Sequence, residues 1–404
     1  MGLRIKISRV GLQDMLFFKN LPLTREQKIE EFPAKDVDGT FAINENAKLM
    51  HPDFQHMVID EVITHGGAGA KTFVLKKEDG SEAAFFRAGQ YISVLLNIGG
   101  SLVTRPYSIC SSPALAKEGK IAITVKENPG GFAADFILGS WAVGDKVTVS
   151  GAEGTFYYEE LRDSANVIAL AGGSGITPFL SMAKAIRDGI EDFNLTILFG
   201  SRTKDAVLFG DELDGICAEC EKVKVVYVLS EEEADGCEKG FITAELIKKY
   251  APENNDYSLF ICGPEAMYKF LEGETEKLGL AKGRIRRELL GVSKNIAERA
   301  DYPAECKGRV FKLTVLQGCE KYETTASADE TLLTAIERAG IAAPSRCRSG
   351  ECGWCRSKLV SGSVYTPEEN DGRRFADIKF GYIHPCACFP TDDTVIEVPG
   401  SYLK

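Results

Sequence analysis

The chain has 404 residues, 44% of them apolar, and its 48 Lys and Arg against 59 Asp and Glu give a formal charge of −11. That length predicts two to four domains, and the acidic balance argues against nucleic acid or a membrane surface and for small molecules and proteins as partners. Twelve cysteines in a long chain without a charged-then-apolar leader predict reduced thiols and a cytoplasmic protein, and no apolar run reaches the length of a membrane span.

Residues 1–55 combine an apolar cluster at Met15, Leu16, Phe17 and Phe18 with a polar, helix-like run over 24–32. They carry no evident chemistry, and a packing arm or partner-contact extension is expected. From 56 to 160, short β-rich segments at 72–75, 90–96, 121–126 and 146–149, bounded by Gly, Pro or Asp, predict an antiparallel β-barrel. Within it, Arg105-Pro106-Tyr107-Ser108 offers a forked cation for phosphate, a ring able to pack a flat heterocycle and a hydroxyl able to bond a ring nitrogen. Farther on, Asn128-Pro129-Gly130-Gly131 leads into a short helical run over 132–138, where free N–H groups suit a pyrophosphate. Each piece alone reads more readily as an ordinary strand or turn.

Over 161–283 the periodicity changes. Continuous apolar runs at 167–171, 195–199, 223–229 and 259–262 alternate with segments long enough for helices, such as 179–187 and 266–278, which predicts a doubly wound parallel sheet. The first run passes into Gly172-Gly173-Ser174-Gly175-Ile176-Thr177-Pro178, whose glycines admit a phosphate close to the backbone and whose proline suits the first helical position. Ligands of such sheets lie beyond the carboxyl ends of the strands, so Gly200-Ser201-Arg202 and Cys262-Gly263-Pro264-Glu265-Ala266-Met267 belong to the same site. Cys217 and Cys220, although a C-x-x-C pair, lack a redox context and are read as structural.

A charged stretch over 284–304 reads as a linker, and 305–404 as a third domain. Two strands, 309–315 and 320–325, make a hairpin around Gly318; Ser327 and Glu330 fit a capping box for a helix with Leu332, Leu333, Ile336 and Ala339 inward, stopped at Gly340. The next segment is Cys347-Arg348-Ser349-Gly350-Glu351-Cys352-Gly353-Trp354-Cys355, answered by Cys386. This is the C-x4-C-x2-C…C spacing of a plant-type [2Fe–2S] cluster, with glycines that let backbone N–H groups face the sulfides. Zinc would ask for a second close pair or histidines, and only His384 is near. Cys388 competes with Cys386 as fourth ligand.

Taken in order, the Arg105-Pro106-Tyr107-Ser108, Gly130-Gly131, Gly172 to Pro178 and Cys262-Gly263-Pro264 motifs, with the cluster loop, resemble the ferredoxin-NADP reductase superfamily fused to a C-terminal plant-type ferredoxin, especially the reductase components that serve oxygenases. The resemblance covers roughly 56–400 and implies a multidomain fold: an antiparallel barrel for FAD, a doubly wound NAD(P)-binding domain and a β-grasp [2Fe–2S] domain. It implies that Arg105, Pro106, Tyr107, Ser108, Val125, Gly130, Gly131, Phe132 and Ala133 hold the flavin. Gly172, Gly173, Ser174, Gly175, Thr177, Ser201, Arg202, Cys262, Gly263 and Met267 then hold NAD(P)H, with Ser108 and Cys262 at the transfer site. Cys347, Cys352, Cys355 and Cys386 ligate the cluster, Cys386 being favoured by its distance from the following proline. Ala134 stands where the family usually has Ser or Thr, which leaves FMN as an alternative to FAD, and Trp354 where a small residue is usual. The pyrimidine-pathway electron-transfer proteins, which this superfamily also contains, close their cluster motif with a much shorter last interval.

A nicotinamide donates two electrons as hydride, whereas a [2Fe–2S] cluster accepts one, and a flavin can convert between them. The expected activity is therefore an NAD(P)H-dependent reductase passing electrons through FAD and the cluster to a separate protein, such as an oxygenase, with NADH favoured as donor. A reductase for an anaerobic pathway enzyme, or a relay or redox sensor within a larger complex, is the alternative. Arg346, Arg348, Arg356 and Lys358 around the thiols predict a positive rim that raises the cluster potential and attracts an acidic patch on the partner.

Overall fold

The computed structural model describes residues 25–31, 41–128, 130–288, 291–292 and 295–400. Residues 1–46 and 47–404 group as two units. In the first, the polar run forms α1 (Arg25–Glu31), and α2 (Ala42–Met50) spans the boundary. The apolar cluster Met15 to Phe18 lies outside the described residues. Among the described residues no helix is long and apolar enough to cross a membrane.

The barrel is built from β1 (Gln55–His65), β2 (Ala70–Lys77), β3 (Tyr91–Ile98), β4 (Ser101–Ser108), β5 (Lys120–Lys126) and β6 (Lys146–Val149), antiparallel in the order β4-β3-β6-β1-β2-β5. A bridge from Ile109 to Ile123 closes it. Phe73, Ile92, Val94, Ile121 and Ile123 fill the interior. Strand β1 escapes a pattern search because its register shifts between Ile59 and Glu61, so the inward face changes parity along the strand. The short helix expected after Gly131 is α3 (Phe132–Ser140).

The second domain is a parallel sheet of β7 (Asn166–Gly172), β8 (Asn194–Ser201), β9 (Val223–Leu229), β10 (Glu238–Lys239), β11 (Ser258–Cys262) and β12 (Ile285–Arg287), in the order β10-β9-β8-β7-β11-β12. Helices α4 (Thr177–Arg187), α5 (Gly210–Glu219), α6 (Ala244–Tyr250) and α7 (Glu265–Glu276) make the connections. The strand order reverses between β7 and β11, which puts the switch point at their carboxyl ends. The charged stretch expected to be a linker begins as an edge strand, β12, where charged side chains are tolerated.

Barrel and sheet share one core: Ala70, Cys110 and Ala122 pack with Phe156, Phe179, Phe199 and Phe260. Ser181 Oγ of α4 donates to the Ser111 carbonyl at 2.7 Å, and Arg286 of β12 donates to the Thr155 carbonyl at 2.8 Å. The switch point is thereby fixed against the barrel.

The third domain is a β-grasp fold. Its strands and helices are β13 (Val310–Gln317), β14 (Glu320–Ser327), α8 (Leu332–Arg338), β15 (Ser357–Ser361), β16 (Val364–Tyr365), α9 (Phe375–Lys379), β17 (Tyr382–Ile383), β18 (Phe389–Pro390) and β19 (Thr394–Glu397). The main sheet runs β14-β13-β19-β15-β17, with β13 and β19 parallel. The cap of α8 is Thr331, whose hydroxyl accepts from the Thr334 N–H, and not Ser327, which Glu330 holds through its backbone N–H one turn earlier. Ala335 takes the inward place expected for Ala339.

Candidate redox site

At the switch point two glycine turns meet. A Cβ on Gly175 would collide with the Cys262 carbonyl, and one on Gly172 would lie 2.7 Å from Met267 Sδ, so only glycine lets the two turns approach. Gly172, Gly173, Ser174, Gly175, Thr177, Cys262, Gly263 and Met267 are thus brought to one place. Thr177 Oγ1 donates to the Ser174 carbonyl at 2.9 Å, closing the turn. Ser201 ends the neighbouring strand β8 and Arg202 follows it. The Ser201 hydroxyl is turned onto the Thr203 carbonyl at 3.1 Å.

Lys126 ends β5 with its Nζ 3.6 Å from where a Cβ on Gly173 would stand, and close enough to Arg202 for mutual repulsion. Burial first, and that repulsion second, lower its pKa. Sequence reasoning misses it because a lysine at a strand end carries no motif. A cation beside a glycine turn, with a second one near it, is an arrangement that suits an anion.

On the barrel, Tyr91 of β3 stands opposite Ser108 of β4 in register. Glu288, just past β12, is buried and acts electrostatically on both Tyr91 and Cys262. Burial, with Glu351 and Cys347 nearby, pushes Glu288 up to about 8. The Cys262 thiol is pushed well up by burial and by Glu288, which makes it a neutral wall and no base. Val125 and Ala133 are buried in the barrel core, while Phe132 is exposed beside Gly130 and Gly131.

The cluster loop lies on the barrel. Thr104 of β4 donates to the Ser345 carbonyl at 3.0 Å and meets its hydroxyl at 2.6 Å. Glu337 of α8, 4% exposed, takes two bonds from Arg348, at 2.5 and 3.0 Å, and lies 4.0 Å from Arg105. Burial and the facing Arg348 lower Arg105 to about 10, which leaves it charged at neutral pH, and burial raises the adjacent Tyr107 to about 12.

The four thiols converge. Cys352 N–H points at Cys347 Sγ at 3.4 Å, as does Ser349 N–H, and Cys355 Sγ lies 3.3 Å from Cys386 Sγ. The Cys352 and Cys386 thiols beside Cys347 hold it well below the ordinary thiol range. Cys388 is turned away, its sulfur 3.2 Å from Thr366 Oγ1. A Cβ on Gly350 would strike the Asn370 carbonyl. Ser349 Oγ is buried with no hydrogen-bond partner among the described residues. Two thiols per iron, N–H groups aimed at sulfur and a spare buried hydroxyl fit a [2Fe–2S] group with its sulfide acceptors. The N-terminal turn of α8 braces this arrangement, Leu332 N–H and Leu333 N–H donating to the Cys388 and Pro385 carbonyls at 2.9 and 3.0 Å.

The expected positive rim is largely internal. Arg346, 4% exposed, pairs with Glu153 at 3.1 Å, donates to the Asp53 carbonyl at 2.8 Å and covers the Trp354 ring at 4.3 Å. Arg348 is held by Glu337. Arg356 is bound to Asp377, and Lys358 to the Phe380 carbonyl. Of the two arginines that flank Cys347, Arg346 therefore ties the third domain to the barrel side and Arg348 is engaged by Glu337 within its own domain, so neither is a docking rim. Cys217 and Cys220 close helix α5, packed partly into the core.

An oxidoreductase FAD-binding domain matches residues 62–158, an oxidoreductase NAD-binding domain 169–273 and a 2Fe-2S iron-sulfur cluster binding domain 315–391. The chain is 30% identical over 299 residues to the ferredoxin reductase component of 3-ketosteroid-9-alpha-monooxygenase of Mycobacterium tuberculosis, covering 72% of this chain and 79% of that protein. It is 26% identical over 325 residues to the reductase component of glycine betaine monooxygenase of Chromohalobacter salexigens, covering 78% and 87%. The solved structure of phthalate dioxygenase reductase superposes with a TM-score of 0.61 at 23% identity, over 86% of this chain and 98% of that one. The barrel, the parallel sheet and the thiol-lined β-grasp domain follow one another as these matches do, and the chain belongs to the family of NAD(P)H-dependent oxidoreductases that carry electrons through FAD and a [2Fe–2S] cluster.

Proposed function

We propose that this chain accepts hydride from NADH between the barrel and the parallel sheet and delivers single electrons from its thiol-ligated site to an oxygenase component. The observation that carries this reading is the seating of the cluster loop on β4: the Thr104–Ser345 bonds lie one residue from Arg105 and two from Cys347. Flavin bound there supplies the conversion from paired to single electrons. The chain's own part is positioning and charge. Arg105 neutralises the flavin phosphate, Pro106 and Tyr107 wall its ring system, Ser108 hydrogen-bonds its reactive edge, and Val125, Gly130, Gly131, Phe132 and Ala133 line the remainder.

The turn from Gly172 to Gly175 takes the dinucleotide phosphates on free N–H groups, Lys126 and Arg202 adding charge. Thr177, Cys262, Gly263 and Met267 wall the nicotinamide without exchanging protons. The Ser201 hydroxyl is engaged by the Thr203 carbonyl instead of standing free for a 2′-phosphate, which supports NADH. The oxygenase acceptor is supported by the names of the relatives, which include reductase components of monooxygenases and of a dioxygenase.

An anaerobic titration with NADH and then NADPH, following flavin absorbance and electron paramagnetic resonance together, tests this. Flavin bleaching with growth of a rhombic [2Fe–2S] signal, reached at lower NADH than NADPH, is the expected result. A flavin that bleaches while the cluster stays oxidised would refute the path, and equal titration by both nucleotides would refute the donor assignment.

A further inference from the structure

The four thiols face different surroundings. Cys347 and Cys352 lie beside Tyr91 of the barrel, whereas Cys355 and Cys386 sit in the core of the third domain among Leu333, Ile383 and Ala387. From the second pair the route to the surface is short. Arg356 follows Cys355 directly, lies over the Tyr382 ring at 3.4 Å to its centroid and binds Asp377 of α9; β17, which pairs with Ser357 and Lys358, leads on to Cys386.

At that surface α9 and its end expose three large apolar side chains together, Phe375 at 80%, Ile378 at 53% and Phe380 at 58%. Single exposed apolar residues are ordinary, but two one turn apart on a short helix and a third at its C-cap leave the end of α9 apolar. Arg374 and Lys379 flank it; the Arg374 backbone N–H donates to the Asp377 carboxylate and Lys379 lies over the Phe380 ring, but neither charged side chain forms an ion pair among the described residues. The helix's own acid, Asp377, is buried under Arg356, and Asp371 is held by Arg373. Lys358 is engaged by the Phe380 carbonyl at the end of α9 and is left out of the rim for that reason. The uncompensated charge around the apolar centre is positive.

Resting on the reading that electrons leave through the cluster to a separate protein, we infer that the α9 face, Phe375, Ile378 and Phe380 flanked by Arg374 and Lys379, is where that protein docks. An apolar centre with a charged rim is the anatomy of a transient interface, and complementarity makes the acceptor's matching surface apolar at its centre and ringed by carboxylates. This moves the docking charge from Arg346 and Arg348, which are internal, to the far side of the thiols.

The test uses the full holoprotein with cytochrome b5, an acidic one-electron carrier, and cytochrome c, a basic one. In the Arg374→Glu/Lys379→Glu variant, NADH should still reduce flavin and cluster fully. Transfer to cytochrome b5 should fall about tenfold at low ionic strength, with the loss disappearing in high salt, and transfer to cytochrome c should rise. Phe375→Ser, which changes no charge, should slow cytochrome b5 reduction without altering its salt dependence. Wild-type rates to cytochrome b5 from both variants, with the cluster fully reduced, would overturn the docking surface alone. A cluster that NADH never reduces in the unaltered protein would overturn the underlying electron path instead.

Discussion

Replacing Glu337 with Gln should loosen the third domain from the barrel. The carboxylate is almost fully buried, takes both bonds of the Arg348 fork and lies 4.0 Å from Arg105, so within this group it alone offsets two guanidinium charges. Breaking a buried pair by removing one member costs about 3–5 kcal/mol; an amide keeps the shape and accepts one of the two bonds, which puts the loss near about 3 kcal/mol. At a urea dependence of about 2 kcal/mol per molar, the midpoint for loss of cluster absorbance should fall by about 1.5 M. The functional readout separates docking from general damage. NADH-driven reduction of ferricyanide, which reduced flavin can serve directly, should hold, while NADH-driven reduction of the cluster should slow. A midpoint within about 0.3 M of the unaltered protein, together with an unchanged cluster rate, would refute the argument that this triad seats the domain.

Three further changes follow from the same geometry. Burial raises Glu153 to about 7 against the partial counter-effect of Arg346. A carboxyl raised in the folded state favours folding below its unfolded value of 4.5 and loses that contribution as pH rises towards about 7, so stability should fall by up to about 3 kcal/mol across that window. Glu153→Gln should flatten that slope in urea titrations at about pH 4.5, 6 and 7.5, and an unchanged slope would count against it. Cys386→Ser should abolish the iron-sulfur absorbance, whereas Cys388→Ser should keep it at a cost of about 1–2 kcal/mol in stability, since Cys388 is a packed core residue bonded to Thr366; retention of a normal cluster in Cys386→Ser would reassign the ligand. Gly175→Ala puts a methyl into the Cys262 carbonyl and should slow reduction of the flavin by NADH at least about tenfold while flavin absorbance per chain stays normal. Full-rate reduction would show that the two turns can part.

The parts of this site that are legible in the sequence are those whose chemistry demands local spacing. Cys347, Cys352 and Cys355 must lie within one loop to reach two irons, and a strand that ends on a phosphate must end on glycine. The place of Cys386 relative to Pro390 favours it over Cys388, and the geometry gives a physical reason, because only one of the two sulfurs turns towards the other thiols. Parallel strands are legible as continuous apolar runs because they are buried on both faces. Strand β1 is not, because a register shift breaks alternation, and neither is β12, because an edge strand can be as charged as a linker. The cap of α8 is ambiguous for a different reason: Ser327 and Thr331 both suit the role, and Glu330 does bond back to Ser327, so local chemistry supports two starts that only packing separates.

Arg346 and Arg348 mislead with the largest consequence, and their burial explains how the site is held. A pair of arginines beside a ligand reads as a solvated rim because the carboxylates that answer them, Glu153 in another domain and Glu337 on the preceding helix, are invisible to spacing. Buried ion pairs add little net stability, since desolvation offsets the attraction, but they are intolerant of misalignment. An apolar contact alone would let the third domain slide on the barrel. The Arg346–Glu153 pair and the Arg105–Glu337–Arg348 group grip β4 and the loop before β7 at two points, and both can be satisfied in only one orientation. That orientation sets Cys347 two residues from Ser345 and its bonds to Thr104, on the strand that carries Arg105, Tyr107 and Ser108. The charges beside Cys347 thus act inward, between the third domain and the barrel, and the docking surface we infer is instead at α9, where the charged side chains of Arg374 and Lys379 form no ion pair among the described residues.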